Sequence, residues 1–274
     1  MVDIHQAALE CLLLSDPAQK RTCIDQYWHE LVSCDQFSMN FGRVDRVRLP
    51  GRPVKPELVP AKEVPRRGLG SDEGRAALYH SLAHIEFNAI NLSLDAVYRF
   101  RGLPPSFYRD WWSVAFEEAK HFGLLNERMR QMGYEYGSFP AHNHLWQVTY
   151  DTDFDVMVRM ALVPRVLEAR GLDMAPLILK KLQSVGDQSG VEILKVILAE
   201  EVGHVEIGNR WYLHYCELRG LDPLTTFSDL LRRLGSGAIS GPFNTEARLE
   251  AGFTEADMLL LKEIEAEFKS EIRA

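Results

Sequence analysis

The sequence predicts an all-α protein built as a four-helix bundle. Its two helix pairs are joined by a long crossover, with accessory N- and C-terminal helices on either side. Three observations predict this. A lone glutamate followed by Glu-Glu-x-x-His occurs twice, as Glu86 with Glu117-Glu118-Ala119-Lys120-His121 and as Glu168 with Glu200-Glu201-Val202-Gly203-His204. The offset from Glu86 to Glu168 is 82 residues, and those from Glu118 to Glu201 and His121 to His204 are both 83, so one donor pattern recurs almost in register. Long stretches repeat their apolar residues with helical spacing and stop at glycine or proline, and no strand-like alternation is strong anywhere.

Taken in order, residues 2–14 and 17–33 have helical spacing broken at Ser15-Asp16-Pro17, where proline suits the first turn of the second helix. From Gly42 to Gly70 five prolines preclude long helices, and Arg43, Arg46, Arg48, Arg52, Lys55, Lys62, Arg66 and Arg67 outnumber the acids. This basic 42–70 segment is expected to be an extended strap lying on an acidic bundle surface, or else a grip for RNA phosphates. Ser71 is the N-cap of a helix with Asp72 and Glu73 in its first turn, running to about Phe100 before Gly102 and Pro104. A second long helix spans roughly 106–132 and stops at Gly133. Residues 134–151 have no clean period and are taken as the long connection between the helix pairs. The third helix spans about 152–170 and stops at Gly171, a short extra helix follows at 174–184, and the fourth runs from about 188 to 219 before Gly220. The tail has helical texture at 223–234 and 254–271, separated by a Gly- and Pro-containing stretch. The expected organisation is an N-terminal accessory region at 1–70, the bundle at 71–220 and a helical extension at 221–274.

Composition bounds the rest. A net charge of −8 over 274 residues disfavours broad binding to nucleic acid or anionic membranes, although a local basic patch could still bind. No apolar run approaches the ~18 residues of a membrane-spanning helix. The N-terminus lacks a basic leader pattern, and Cys11, Cys23, Cys34 and Cys216 have neither C-x-x-C spacing nor the density of a disulfide scaffold. These features predict a cytoplasmic protein with reduced thiols.

A glutamate on a helix usually decorates the surface, and helical phase separates the exceptions. With about 100° per residue and His121 at zero, Val114, Leu125, Trp111, Phe122 and Ala115 fall between about 20° and 120°. Glu118 lies inside that stripe at about 60°, whereas Glu117 sits at its edge near 320°. Relative to His204, the residues Ile197, Gly208, Leu194, Val205 and Leu198 occupy the same arc, with Glu201 at about 60°. Glu86 shares a face with Tyr79, Leu82, Ala83, Ala89, Ile90 and Val97, and Glu168 follows Met157, Ala161, Pro164 and Arg165.

Four carboxylates pointed into apolar seams would be costly to bury and would repel one another. A pair of divalent cations removes that cost, because glutamate can bridge two metals, each histidine offers a neutral nitrogen, and i, i+3 spacing puts both on one helical face. Glu86, Glu118, His121, Glu168, Glu201 and His204 are therefore the candidate ligands of two metal ions. Oxygen donors with a minority of imidazole suit Fe/Fe first, with Mn/Fe or another divalent pair as alternatives. The His-Glu-x-x-His order of a zinc protease is absent.

Several stretches carry a wider resemblance: His84-Ile85-Glu86, Glu117 to Phe122, Tyr136 to His142, Val163 to Asp173, Glu200 to Val205 and Gly241-Pro242-Phe243-Asn244. Through them the chain resembles the ferritin-like superfamily of di-iron carboxylate proteins, and within it an uncharacterised family near the MiaE-like tRNA hydroxylases. The resemblance implies metal ligands at the same six positions, a ferritin-like bundle and oxidative chemistry, but no substrate.

Other polar residues are expected to be structural or to sit around the site. His84 lies about 200° from Glu86 on the wheel and should pack or bond a neighbouring helix rather than share the metal face. His80, His142 and His144 are similar, the last two lying where a substrate channel could open. Arg165 could orient a ligating carboxylate or be exposed, and Asn88, Asn91 and Asp95 are weaker cases of the same kind. Tyr79 and Tyr212 are expected to pack in the core, with electron transfer as the alternative.

The function expected is that of a non-haem di-iron oxidoreductase that activates dioxygen to oxidise an unidentified substrate. No flavin or nicotinamide fingerprint is present, so an external electron donor is implied, and a homodimer is the default assembly. The alternatives are a metal-binding or iron-oxidising protein without organic substrate, and a tRNA-modifying hydroxylase docking through the basic segment.

Overall fold

A computed structural model of the chain describes residues 2–34, 36–234 and 239–273. Among them the only regular secondary structure is helical, alongside two isolated β-bridges, Asp3 with Ser38 and Leu58 with Ala141. The chain divides into two compact units, Met1–Asp151 and Thr152–Ala274.

In the first unit, α1 (Ile4–Leu13) begins where the Asp3 carboxylate accepts from the backbone N–H groups of His5 and Gln6, and α2 (Pro17–Cys34) opens on the predicted proline. The basic segment is extended apart from one 3₁₀ turn, Ala61–Glu63. It lies along residues 141–150: Val59 N–H donates to the Ala141 carbonyl at 2.8 Å, Ala141 N–H to Glu57 at 3.0 Å, and the Trp146 indole N–H to Arg48 at 3.1 Å. The Arg46 guanidinium stacks 3.7 Å over the Tyr150 ring.

Two long helices form the centre of this unit, α3 (Asp72–Arg99), capped by Ser71, and α4 (Pro105–Gln131). The short link between them turns the chain back, and the two pack along their lengths. Gly133 ends α4 in the left-handed conformation, φ +81°, which a side chain would resist. The stretch at 134–151 is not wholly irregular, for it contains α5 (His144–Asp151), which turns Trp146, Val148 and Thr149 inward. An eight-residue helix gives too few turns for its period to stand out in the sequence.

The second unit corrects the third predicted helix. There α6 (Val156–Leu162) runs into a π-helical segment, Val163–Glu168, and on into α7 (Ala169–Ser184). Gly171 is no stop, because it keeps helical geometry and the helix continues through it. The wide turn arises at Pro164: Ala169 N–H reaches the Pro164 carbonyl five residues back, so the helix passes a residue that has no N–H to give.

Three residues later α8 (Gln188–Leu218) begins at its N-cap Asp187 and packs against α6, the π segment and α7. Then come α9 (Pro223–Leu234), α10 (Thr245–Glu250), which the sequence reading lacked, and α11 (Glu255–Arg273). Of the predicted Gly- and Pro-containing stretch in the tail, 235–238 lie outside the described residues. Buried ion pairs fasten this tail. Arg248 grips Asp173 with two hydrogen bonds of 2.8 Å, and Arg165 donates to Asp257 at 2.7 Å.

Candidate metal centre

Within the first unit, three of the six predicted donors converge. Glu86 projects from α3, while Glu118 and His121 project from one face of α4. The Nδ1 atom of His121 lies 3.4 Å from a Glu118 oxygen and 3.6 Å from a Glu86 oxygen. All three are buried, Glu118 and His121 completely. The wall around them is the apolar stripe read from the helical phase: Trp111, Val114, Ala115, Phe122 and Leu125 are each 1% exposed or less. Glu117 is only half-buried, so the phase distinguished correctly between the adjacent acids of this pair.

Burial opposes a charge on His121, but the carboxylates of Glu118 and Glu86 outweigh it and push the imidazole up to about 11. Two carboxylates thus hold a cation at this imidazole even without metal. That is the electrostatic property a metal ion would exploit in a site otherwise closed to water.

The second unit repeats the geometry. His204 Nδ1 lies 3.7 Å from a Glu201 oxygen, again at i, i+3 on one helix, with His204 1% exposed and the Glu201 side chain 12% exposed. Val205, Gly208, Leu194 and Ile197 are buried on the same arc. Glu168 is buried at the last position of the π segment. Phase is less decisive here than in α4, since Glu200 and Glu201 are both only partly buried. The pairs Glu118–His121 and Glu201–His204, of which only Glu201 is not fully buried, could each offer ligand atoms to a metal ion. A carboxylate-rich donor set with one imidazole per triad fits a hard or borderline divalent ion.

The other polar candidates have structural partners. His84 bonds the Tyr136 hydroxyl at 2.8 Å and the His142 carbonyl at 3.0 Å, so it holds the 134–151 connection rather than a neighbouring helix. Asn88 donates to the His84 carbonyl, and Asp95 takes a forked interaction from Arg99. Tyr79 is fully buried, and the Tyr212 hydroxyl is engaged by the Pro223 carbonyl at 2.6 Å. Arg165 is neither exposed nor seen to grip a ligating carboxylate: it is 1% exposed, bonds Asp257 and stacks against Tyr212, Phe227 and Phe253. Its partner lies 92 residues away in the sequence, a distance no local pattern reveals.

Lys20 is among the buried polar residues that escaped the sequence reading. Lys20 is fully buried; its ammonium donates to the Leu12 carbonyl and to Asn91 Oδ1 and lies 5.3 Å from the centre of the Phe87 ring. Burial lowers its pKa to about 7. Its spacing with the buried Ile24 and Leu31 on one face of α2 was the available signal.

Comparison with known proteins adds a family to this geometry. Residues 13–259 match the model of a protein family of unknown function, DUF455, which takes in both units and all six donors. The chain belongs to the DUF455 family. A protein of Haemophilus influenzae, described as uncharacterized, is 46% identical over 228 residues, covering 81% of this chain and 79% of that protein. No solved structure matches. Among the described residues no helix is long and apolar enough to cross a membrane.

Proposed function

We propose that Glu86, Glu118, His121, Glu168, Glu201 and His204 together hold two metal ions in a carboxylate-bridged centre of ferritin-like type. We further propose that the protein is a non-haem di-iron oxidoreductase. The observation that carries this reading is the recurrence of one arrangement. Each unit has a Glu–His pair one helical turn apart with Nδ1 to carboxylate distances of 3.4 and 3.7 Å, and each has a further buried glutamate from the preceding helix.

The cost of burial supports it further. Three carboxylates and two imidazoles, each no more than 7% exposed, are expensive to keep in an apolar interior unless cations compensate them. A ferrous pair held by these six side chains would supply electrons to dioxygen. The protein's own part is to supply anionic oxygens that can bridge or terminate, to hold each imidazole in place through its neighbouring carboxylate, and to exclude water with Trp111, Phe122 and Leu125. Reducing equivalents for turnover come from an external donor.

Elemental analysis tests the ligand assignment. Wild-type protein loaded anaerobically with ferrous iron should bind two ions per chain, and the Glu118→Ala, Glu201→Ala double variant should lose them. Full stoichiometry in the variant would overturn the assignment. Admission of oxygen to the loaded protein should then oxidise the iron with stoichiometric oxygen uptake. Unchanged ferrous iron would refute the oxidoreductase reading while leaving metal binding intact.

A further inference from the structure

The basic strap has an inner and an outer side. Val47, Pro50, Gly51 and Pro56 are buried on the inner one. Three hydrogen bonds pin the backbone there: Asp45 N–H donates to the Tyr98 hydroxyl at 3.1 Å, the Trp146 indole N–H to the Arg48 carbonyl at 3.1 Å, and Gly51 N–H to the Leu12 carbonyl at 2.8 Å. Gly51 sits so close to the end of α1 that a Cβ would come within 2.2 Å of the Leu13 carbonyl oxygen. Between these anchors the side chains turn outward, and large apolar ones are among them. Val54 is 95% exposed and Leu49 60%, and Leu13, beside Gly51, is 51% exposed. The same stretch, 46–55, carries Arg46, Arg48, Arg52 and Lys55 and no acid. All but Arg52 of these cations are exposed. Acids stand only at its borders, at Asp45, which pairs with Arg43 at 3.4 Å, and at Glu57.

We propose that the outer side of residues 46–55 docks the protein peripherally on a bilayer containing anionic lipid. Its cations lie at the headgroup phosphates, and Leu49 and Val54 enter the layer just beneath them. Interfacial binding grows with buried apolar area and with attraction to anionic lipid, so a surface that mixes exposed aliphatic side chains with unopposed cations serves both terms. A grip for nucleic acid would use the cations alone, because bases stack on aromatic rings and gain nothing comparable from Val54 or Leu49.

The strap is also held in advance of binding. Its inner anchors and backbone bonds fix the segment on α1 and α5, so little ordering remains to be done at the membrane. The chain as a whole has a net charge of −8, which opposes approach to an anionic surface from most directions. This side is the exception, and it therefore sets the orientation of the docked protein. The metal centre plays no part in the docking.

Co-sedimentation of the full-length protein with vesicles tests this. The protein should pellet with vesicles of phosphatidylcholine and phosphatidylglycerol in equal parts and stay in solution with phosphatidylcholine alone, and binding should weaken as salt rises toward ~0.15 M. Leu49→Ser with Val54→Ser keeps the charge and should lower the affinity about tenfold or more, as should Arg48→Gln with Lys55→Gln. These four side chains are exposed, so both variants should unfold at the wild-type temperature. Failure of the wild type to pellet with the anionic vesicles would overturn the proposal. So would vesicle binding that the serine pair leaves unchanged while single-stranded RNA binds equally well, which would mark the surface as a grip for phosphates. A dimer in solution that the serine pair dissociates, without vesicle binding, would assign this side to a second copy of the chain and overturn it too.

Discussion

A Cβ atom placed on Gly208 would come within 2.2 Å of the Cβ of Pro164. Glycine at this point lets the π segment lie directly against α8, one turn beyond His204 and one turn before Glu168. Gly208→Ala should destabilise the protein by ~1–3 kcal/mol through overpacking and lower its metal content. Because the nearest clashing atom is the Pro164 Cβ, only a residue without one relieves it, and Gly208→Ala combined with Pro164→Gly should recover part of the loss. Urea unfolding and elemental analysis of the single and double variants measure both effects, and equal losses in the two would show that this contact does not matter.

The adjacent acids of α4 should behave differently. Glu118→Ala removes a fully buried carboxylate 3.4 Å from His121 and should reduce bound metal, whereas Glu117→Ala, at a half-buried position, should leave the stoichiometry unchanged. Metal content of the two single variants, purified in parallel, decides between them.

Lys20 makes stability depend on pH. Burial lowers its folded pKa to about 7 from an ordinary 10.5, so the unfolded chain binds more protons between those values. Its contribution is favourable above about pH 10.5 and lost as pH falls through about 7. In the metal-free protein His121 pulls the opposite way: raised to about 11, it contributes stability fully present below about 6.5 and lost as pH rises through 11. The comparison must therefore be between variants. Lys20→Met should make the slope of unfolding free energy against pH more negative than wild type's between about pH 7 and 10.5, read from urea midpoints across that range.

One of the two buried pairs that fasten the tail should carry a measurable share of the stability. Asp173 accepts two bonds from Arg248 and one from the Asn244 backbone N–H, with both charged side chains nearly inaccessible. Asp173→Ala leaves a buried guanidinium without its counter-charge and should cost ~3–5 kcal/mol, and Asp173→Asn less. Denaturant titration monitored by circular dichroism would reveal equal costs if charge were irrelevant.

Helix boundaries were legible wherever chemistry marks them in the sequence. Ser71, Pro17 and Gly133 stand where the sequence places them because capping and stopping are local events. The burial of Glu118 was legible because α4 is regular, and its wheel turns by the same angle throughout. The third helix was not legible in this way. A π turn adds a residue to one turn, so phases counted through 163–168 carry an offset that no uniform period contains. The partners of Arg165 and Arg248 were hidden for another reason: each pair joins residues 75 or more positions apart.

The near-register of the two triads also bears on how such a chain could have arisen. Each compact unit contains a pair of long helical runs turning back on one another, with its own lone glutamate and its own Glu-x-x-His. Copying one hairpin in tandem would leave such a pattern. The single residue separating an offset of 82 from offsets of 83 falls between Glu168 and Glu201, and Glu168 closes the widened turn. The extra residue therefore falls beyond the π segment, between its last residue and the Glu201 of α8.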